Sequence, residues 1–286
     1  MKLKNLGRAG LATALTLAIG FGATACSRDY TVAYAYAISK GTGSIAAYGV
    51  DYQSGALTQI AGSPFTGNNS GGSGSQPVVL VASPSGRNLY VVDNNYQNVS
   101  VYSVGTDGKI YGVATPSLIG SYPTAAAIDS TGCYLYVTVK LQPGYTIAAP
   151  GKGGIDIFPI NTTGCSGATA DDGSLRAGTL VPVGNNPISI AVSLPAANIV
   201  YVYVVDQENA PVQAQQPEPN TPSTTVPQVL GFTQNATTGA LTLATGSTCT
   251  TTASIPCLGY AVGTGPSAIG IEPTARFVYV TDALSN

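Results

Sequence analysis

The chain has 286 residues, of which only 8% are charged, while Gly numbers 35, Pro 19 and Tyr 17, and both His and Trp are absent. This composition predicts strands and turns, and it disfavours long helices after residue 25. Without the three basic residues of the N-terminus, eight Lys and Arg face 13 Asp and Glu, a net charge of −5 that offers no basic surface for nucleic acid. The lack of His removes the usual general base near neutral pH and the commonest metal ligand.

Residues 1–25 are predicted to be a signal peptide. Lys2, Lys4 and Arg8 precede an apolar segment rich in Ala and Leu, which ends in the small residues before Cys26. This ending resembles a bacterial lipobox, in which the cysteine is lipidated and becomes the first mature residue. The alternative is an ordinary signal peptide cut after Ala25. Lipidation of Cys26 is the favoured interpretation, and Ser27 after it favours sorting to the outer membrane, with the protein periplasmic or surface-facing.

Four cysteines remain after Cys26 in a chain that is predicted to enter an oxidising compartment. Local pairing would join Cys133 with Cys165 and Cys249 with Cys257, which keeps each bridge inside one structural unit. Four cysteines allow three connectivities, and four buried free thiols are the less favoured alternative.

A repeated unit occupies residues 26–286, and its clearest copy runs from Pro77 to Val104. Each unit predicts an inner strand after a Pro, a turn, and a strand that contains a Tyr followed by Val or a similar residue. A third strand with a second aromatic residue follows, then a Gly turn and a weaker fourth strand. The first tyrosines are Tyr36, Tyr90, Tyr136, Tyr201 and Tyr279; the second aromatics are Tyr48, Tyr102, Phe158 and Phe232; and the fourth strands are predicted to begin at Leu57, Ile110, Leu175 and Leu241.

Such units do not bury both sheet faces alone, so they are expected to stack radially as the four-stranded antiparallel blades of an all-β propeller. About four blades and the start of a fifth are expected. The first copy has no inner strand before it, and the sequence stops partway through the fifth unit, so the chain is expected to be an incomplete fragment. The insertions at residues 139–154 and 206–228 both precede a third strand and are expected to project from one face.

The segments Ser54–Phe65, Ser83–Asp93 and Gly265–Asp282 resemble the YVTN-type β-propellers, in particular the seven-bladed lactonase family with its 6-phosphogluconolactonase-like and cycloisomerase-like members. This resemblance implies seven blades in the whole protein. It also implies a Gly-Pro-Arg-His run before a Tyr-Val strand and an Asn-Glu pair after it in active members.

The positions that match those motifs carry no proton-transfer groups in this chain. The run at the best match is Gly265–Ala268, and Asp282 and Ala283 follow the strand. We therefore predict no catalytic residue here and no cofactor. Asp93, Asp206 and Glu208 follow Tyr-Val strands and are candidate polar residues at one end of the channel. Carboxylates at strand ends are more often turn formers, so no metal site is predicted. Arg87, Glu272 and Arg276 are interpreted as turn residues at the surface.

Three functions are compatible with these observations. The favoured one is a membrane-anchored envelope propeller, held by its lipid, that binds a protein, peptide or glycan. The alternative is a lactone hydrolase or cycloisomerase whose catalytic residues lie on blades outside this chain. The third is a structural protein in an extended surface array.

Overall fold

The computed structural model describes residues 31–67, 74–148, 151–195, 199–207, 227–244 and 259–284. These ranges form twenty strands in five antiparallel sheets, which we number as blades 1 to 5. Nowhere in them does a helix occur with the length and apolar character needed to cross a membrane. The predicted all-β fold with propeller blades is confirmed. The predicted signal peptide lies outside the described residues.

Each of the first four blades has its strands in chain order across the sheet. Blade 1 contains β1 (Thr31–Ser39), β2 (Ser44–Asp51), β3 (Leu57–Gln59) and β4 (Phe65–Thr66). Blade 2 contains β5 (Pro77–Ala82), β6 (Asn88–Asp93), β7 (Asn98–Val104), β8 (Ile110–Gly112) and β9 (Ser117–Leu118). Blade 3 contains β10 (Ser121–Ile128), β11 (Tyr134–Leu141), β12 (Gly153–Pro159) and β13 (Thr179–Val183).

Blade 4 contains β14 (Pro187–Val192), β15 (Val200–Asp206), β16 (Gln228–Gln234), β17 (Leu241–Leu243) and β18 (Tyr260–Ala261). Blade 5 is the hairpin of β19 (Pro266–Ile271) and β20 (Val278–Asp282). In blades 1, 2 and 4 the outer strand is split, because two short segments pair with different parts of the third strand.

Two details of the sequence alignment were wrong. Leu175 forms only an isolated bridge with Ile160, and the fourth strand of blade 3 is Thr179–Val183. In blade 4, Tyr203 and not Tyr201 occupies the position of Tyr90, because Tyr203 pairs with the fourth residue after the blade's first proline, as Tyr90 does. The turn before β15 is longer than its counterparts, which displaces the spacing on which the alignment rested.

The apolar core lies between blades and not within them. One cluster joins blades 1 and 2, a second joins blades 2 and 3, and a third joins blades 3 and 4. The middle strands are therefore covered on both faces; all six residues of β6 are buried. The inner strands β5, β10, β14 and β19 lie next to one another in that order, so their first residues share one end of the assembly.

Candidate functional site

The inner strands carry the positions where the resemblance places catalytic groups. In each of blades 2 to 5 the strand opens on a proline, and the pairing register shifts at the next residue, which marks a β-bulge. A bulge re-aims its side chain and is common beside active sites. The bulge residues are Val78, Thr124, Ile188 and Ser267. None of these four side chains can donate or accept a proton as an acid or base near neutral pH.

The two bulge hydroxyls make structural contacts. Thr124 Oγ1 lies 2.8 Å from Thr138 Oγ1 and donates to the carbonyl oxygen of Pro187 at 2.8 Å, which links blade 3 to blade 4. Ser267 Oγ lies 2.8 Å from Thr281 Oγ1 in the corresponding place of blade 5. A hydroxyl nucleophile requires an adjacent base, and the partners of these hydroxyls are other hydroxyls and carbonyls.

Asp93 is fully buried at the end of β6. Its Oδ2 accepts hydrogen bonds from Ser75 Oγ at 2.6 Å and from the backbone N–H of Gln76 at 2.8 Å. Its Oδ1 accepts from the backbone N–H groups of Asn95 and Tyr96, each at 2.8 Å. The carboxylate therefore fastens the connection before the inner strand to the turn after the second strand of the same blade.

Asp206 has the corresponding place in blade 4 and is also fully buried. It accepts hydrogen bonds from the backbone N–H groups of Asn185 at 3.2 Å and Asn186 at 2.7 Å. Glu208, the third candidate, lies outside the described residues. Across the described ranges, no group of three or more Cys, Asp or Glu side chains is arranged to hold a metal ion.

A polar link that the sequence did not reveal joins blades 4 and 5. Asn186 donates through Nδ2 to Gln207 Oε1 at 3.1 Å, and Gln207 donates through Nε2 to the carbonyl oxygen of Pro266 at 2.7 Å. The only available signal is position, because Asn186 directly precedes an inner strand and Gln207 directly follows Asp206. These contacts position the start of β19.

Two titratable side chains of blade 3 are buried or half-buried. Burial raises the pKa of the Asp156 carboxyl, although the N–H of Gly120 donates to it at 2.9 Å and opposes that rise. Burial lowers the pKa of the Lys140 ammonium. The first of these groups holds the connection into β10, so its role is structural.

A disulfide joins Cys133 and Cys165, with sulfur atoms 2.02 Å apart and Cα atoms 5.4 Å apart. It ties the turn between β10 and β11 to the loop after β12. The predicted lipidation residue Cys26 and the cysteines Cys249 and Cys257 lie outside the described residues.

The turn residues before the second strands have local partners. Arg87 Nη1 forms an ion pair with Asp171 Oδ2 at 3.1 Å. Glu272 accepts a hydrogen bond from the backbone N–H of Thr274 at 2.8 Å. The Arg276 guanidinium carbon lies 5.6 Å from the centre of the Phe277 ring. None of these contacts converges with the bulge positions on a shared partner.

The family model described as "Lactonase, 7-bladed beta-propeller" matches residues 14–148, slightly less than half of the chain. No curated protein matches the chain significantly. A structure described as a "putative 6-phosphogluconolactonase" from Bacteroides uniformis is similar, with TM-score 0.53 and 18% identity over 74% of this chain and 50% of that one.

Hydrazine synthase from Kuenenia stuttgartiensis is also similar, with TM-score 0.51 and 15% identity over 87% of this chain and 58% of that one. The periplasmic gluconolactonase of Pseudomonas aeruginosa gives TM-score 0.49 and 18% identity over 86% of this chain and 58% of that one. The chain thus spans about half the length of the solved structures that it matches. The recognition from sequence is confirmed: the chain is a β-propeller chain of the lactonase type, and its N-terminal half matches the seven-bladed lactonase family.

Proposed function

We propose that this chain is part of an exported envelope propeller that serves as a binding scaffold and does not hydrolyse lactones. The observation that carries the proposal is the set of bulge residues, which are two apolar side chains and two hydroxyls bonded to structural partners. Hydrolysis of a lactone needs a group that activates water and a group that stabilises the developing oxyanion. The described inner strands present neither an acid nor a base at the expected places.

The test is an assay of the purified chain with glucono-δ-lactone and 6-phosphogluconolactone near neutral pH. We expect the rate of lactone opening to equal the rate in buffer, because no described group replaces the missing base. A rate that rises in proportion to protein concentration would contradict the scaffold proposal. A Ser267→Ala variant with the same excess rate would then place the chemistry elsewhere in the chain.

The envelope location rests on the N-terminal sequence, where small residues directly precede Cys26. Expression in a bacterial host with radiolabelled palmitate should label the protein, and Cys26→Ala should abolish the label. A wild-type protein that is exported and cleaved without taking up the label would support the ordinary signal peptide instead.

Lactone hydrolysis remains the second candidate, because the family model is described as a lactonase and a similar structure is named as a 6-phosphogluconolactonase. In that case, the Arg, His and Glu of the family motif would lie on blades beyond this chain. The sequence of a longer gene product decides between the two. A Gly-Pro-Arg-His run in a further blade favours hydrolysis, and its absence from a completed ring favours the scaffold.

A further inference from the structure

A polar cleft of about 420 Å³ lies between blades 2 and 3, on the side of the turns and away from the bulge positions. Its lining includes Arg87, Asn88 and Ser103 from blade 2 and Asp171 and Asp172 from blade 3. The volume is within the range of small-molecule sites. All of these residues belong to described segments.

The blade 3 wall of the cleft is an enlarged loop. Residues 161–175 connect the end of the third strand to the next segment, whereas only residues 105–109 make the corresponding connection in blade 2. The loop is fixed at Cys165 by the disulfide. Arg176 Nη2 also donates to the carbonyl oxygen of Ser166 at 2.8 Å, and Asn161 donates through its backbone N–H to the Ser174 carbonyl at 2.9 Å. These bonds hold the two aspartates in place before any ligand arrives, which lowers the entropic cost of binding.

The blade 2 wall meets this loop through hydrogen bonds of its own. Asn88 Nδ2 donates to the carbonyl oxygen of Asp172 at 2.8 Å, and Arg87 donates to Asp171 at 3.1 Å. Gly173 allows this approach, since a Cβ there would lie 2.3 Å from the Asn88 amide. The cleft therefore presents oriented donors and acceptors in fixed positions.

An aromatic ring stands beside these polar groups. Tyr111 is 53% exposed, and it pairs with Ser103 across β7 and β8, which puts both side chains on the same sheet face. Its ring extends over Gly105, where a Cβ would lie 3.1 Å from a ring carbon. The flat apolar ring and the polar lining of the cleft are thus neighbours.

We propose that the cleft between blades 2 and 3 binds a neutral saccharide, an inference that rests on the proposed scaffold function and names its ligand class. Two carboxylates accept hydrogen bonds from sugar hydroxyls, while the arginine, asparagine and serine groups donate or accept. The Tyr111 ring provides a surface for the apolar face of a sugar ring. A phosphorylated sugar is disfavoured, because the guanidinium is already paired with Asp171 and a second carboxylate lies beside it.

The test is calorimetric titration of the full chain with maltose, cellobiose and N,N′-diacetylchitobiose, with glucose 6-phosphate as the anionic comparison. We expect at least one neutral disaccharide to bind with a Kd of about 1 mM or lower. Tyr111→Ala, Arg87→Ala and Asp172→Asn should each weaken that binding about tenfold or more. Asp172→Asn keeps an oxygen for the Ser174 N–H, which Asp172 now accepts at 2.9 Å, so the loop should keep its shape.

Matched controls come from equivalent residues outside the cleft. Tyr52→Ala removes a tyrosine that is 69% exposed in blade 1, and Arg276→Ala removes the corresponding turn arginine of blade 5; both should leave affinity unchanged. Absence of binding by all three neutral sugars to folded protein would overturn the assignment of ligand class. Binding that resists all three cleft variants would overturn the location, and preferential binding of glucose 6-phosphate would overturn neutrality. The lactone assay tests the scaffold proposal separately, since it does not depend on this cleft.

Discussion

Single tyrosine hydroxyls link neighbouring blades. The Tyr36 hydroxyl donates to the Gly108 carbonyl of blade 2 at 2.8 Å, and the Tyr90 hydroxyl donates to the Gly173 carbonyl of blade 3 at 2.9 Å. Burial raises the pKa of Tyr36 to about 12 and raises the pKa of Tyr90 as well, so both remain protonated donors at neutral pH. The recurring tyrosine of the repeat thus has a physical role in joining blades.

Replacing Tyr90 by Phe should lower the free energy of unfolding by about 1 to 3 kcal/mol, because the buried Gly173 carbonyl loses its donor. Tyr136 provides the matched control, since its buried hydroxyl has no partner in the described part of the chain. Tyr136→Phe should leave stability unchanged or raise it. Urea unfolding of both variants checks this, and equal losses would show that the hydroxyl bond is not the cause.

Asp156→Asn should make the protein more stable at pH 7. Burial raises the pKa of this carboxyl in the folded state, so folding favours its protonated form. The stability that this group contributes is complete below the unfolded Asp pKa of about 3.9 and is lost as the pH rises through the folded value. The Asn amide oxygen can still accept from the Gly120 N–H. Denaturation at pH 3 and pH 7 should therefore show a difference between wild type and variant only at pH 7, and a constant difference would refute the assignment.

At the scale of elements, the turn after each third strand receives a side chain from the preceding blade. Gly108, Gly173 and Gly239 have φ values of 77°, 77° and 70°. A Cβ at these positions would lie 2.5 Å from Tyr34, 2.3 Å from Asn88 and 2.4 Å from Tyr134, respectively. Glycine is thus required both by the left-handed backbone and by the close approach of the next blade.

Gly173→Ala separates these two requirements when it is compared with Gly55→Ala. Gly55 has φ 69°, but a Cβ there would have nothing within 4 Å. We expect Gly55→Ala to cost about 1 to 2 kcal/mol from backbone strain alone. Gly173→Ala should cost about 1 to 3 kcal/mol more, from overpacking against Asn88. Thermal or urea unfolding checks the difference, and equal costs would mean that the turn moves away from its neighbour freely.

At the scale of the molecule, stability depends on blade contacts, because each core cluster contains residues from two blades. Leu135 is fully buried between blades 2 and 3, whereas Leu118 is 79% exposed. Leu135→Ala should cost about 2 to 5 kcal/mol, and Leu118→Ala should change stability by less than about 0.5 kcal/mol. Because the blades share their cores, near-ultraviolet tyrosine signals and far-ultraviolet dichroism should report one coincident transition for each variant. Separate transitions would show that blades unfold independently.

The sequence by itself determined the four-stranded unit, its proline and glycine turns and the number of blades, because period-2 patterning and positive-φ turns are local properties of the chain. Tertiary structure decided the rest. The pairing of Tyr203 in place of Tyr201 and the delayed fourth strand of blade 3 depend on loop lengths that local patterns do not specify. The carboxylates at Asp93 and Asp206 were identifiable, but their backbone partners were not. The cleft between blades 2 and 3 joins Arg87 to Asp171 across 84 positions, and only radial packing brings such distant residues together.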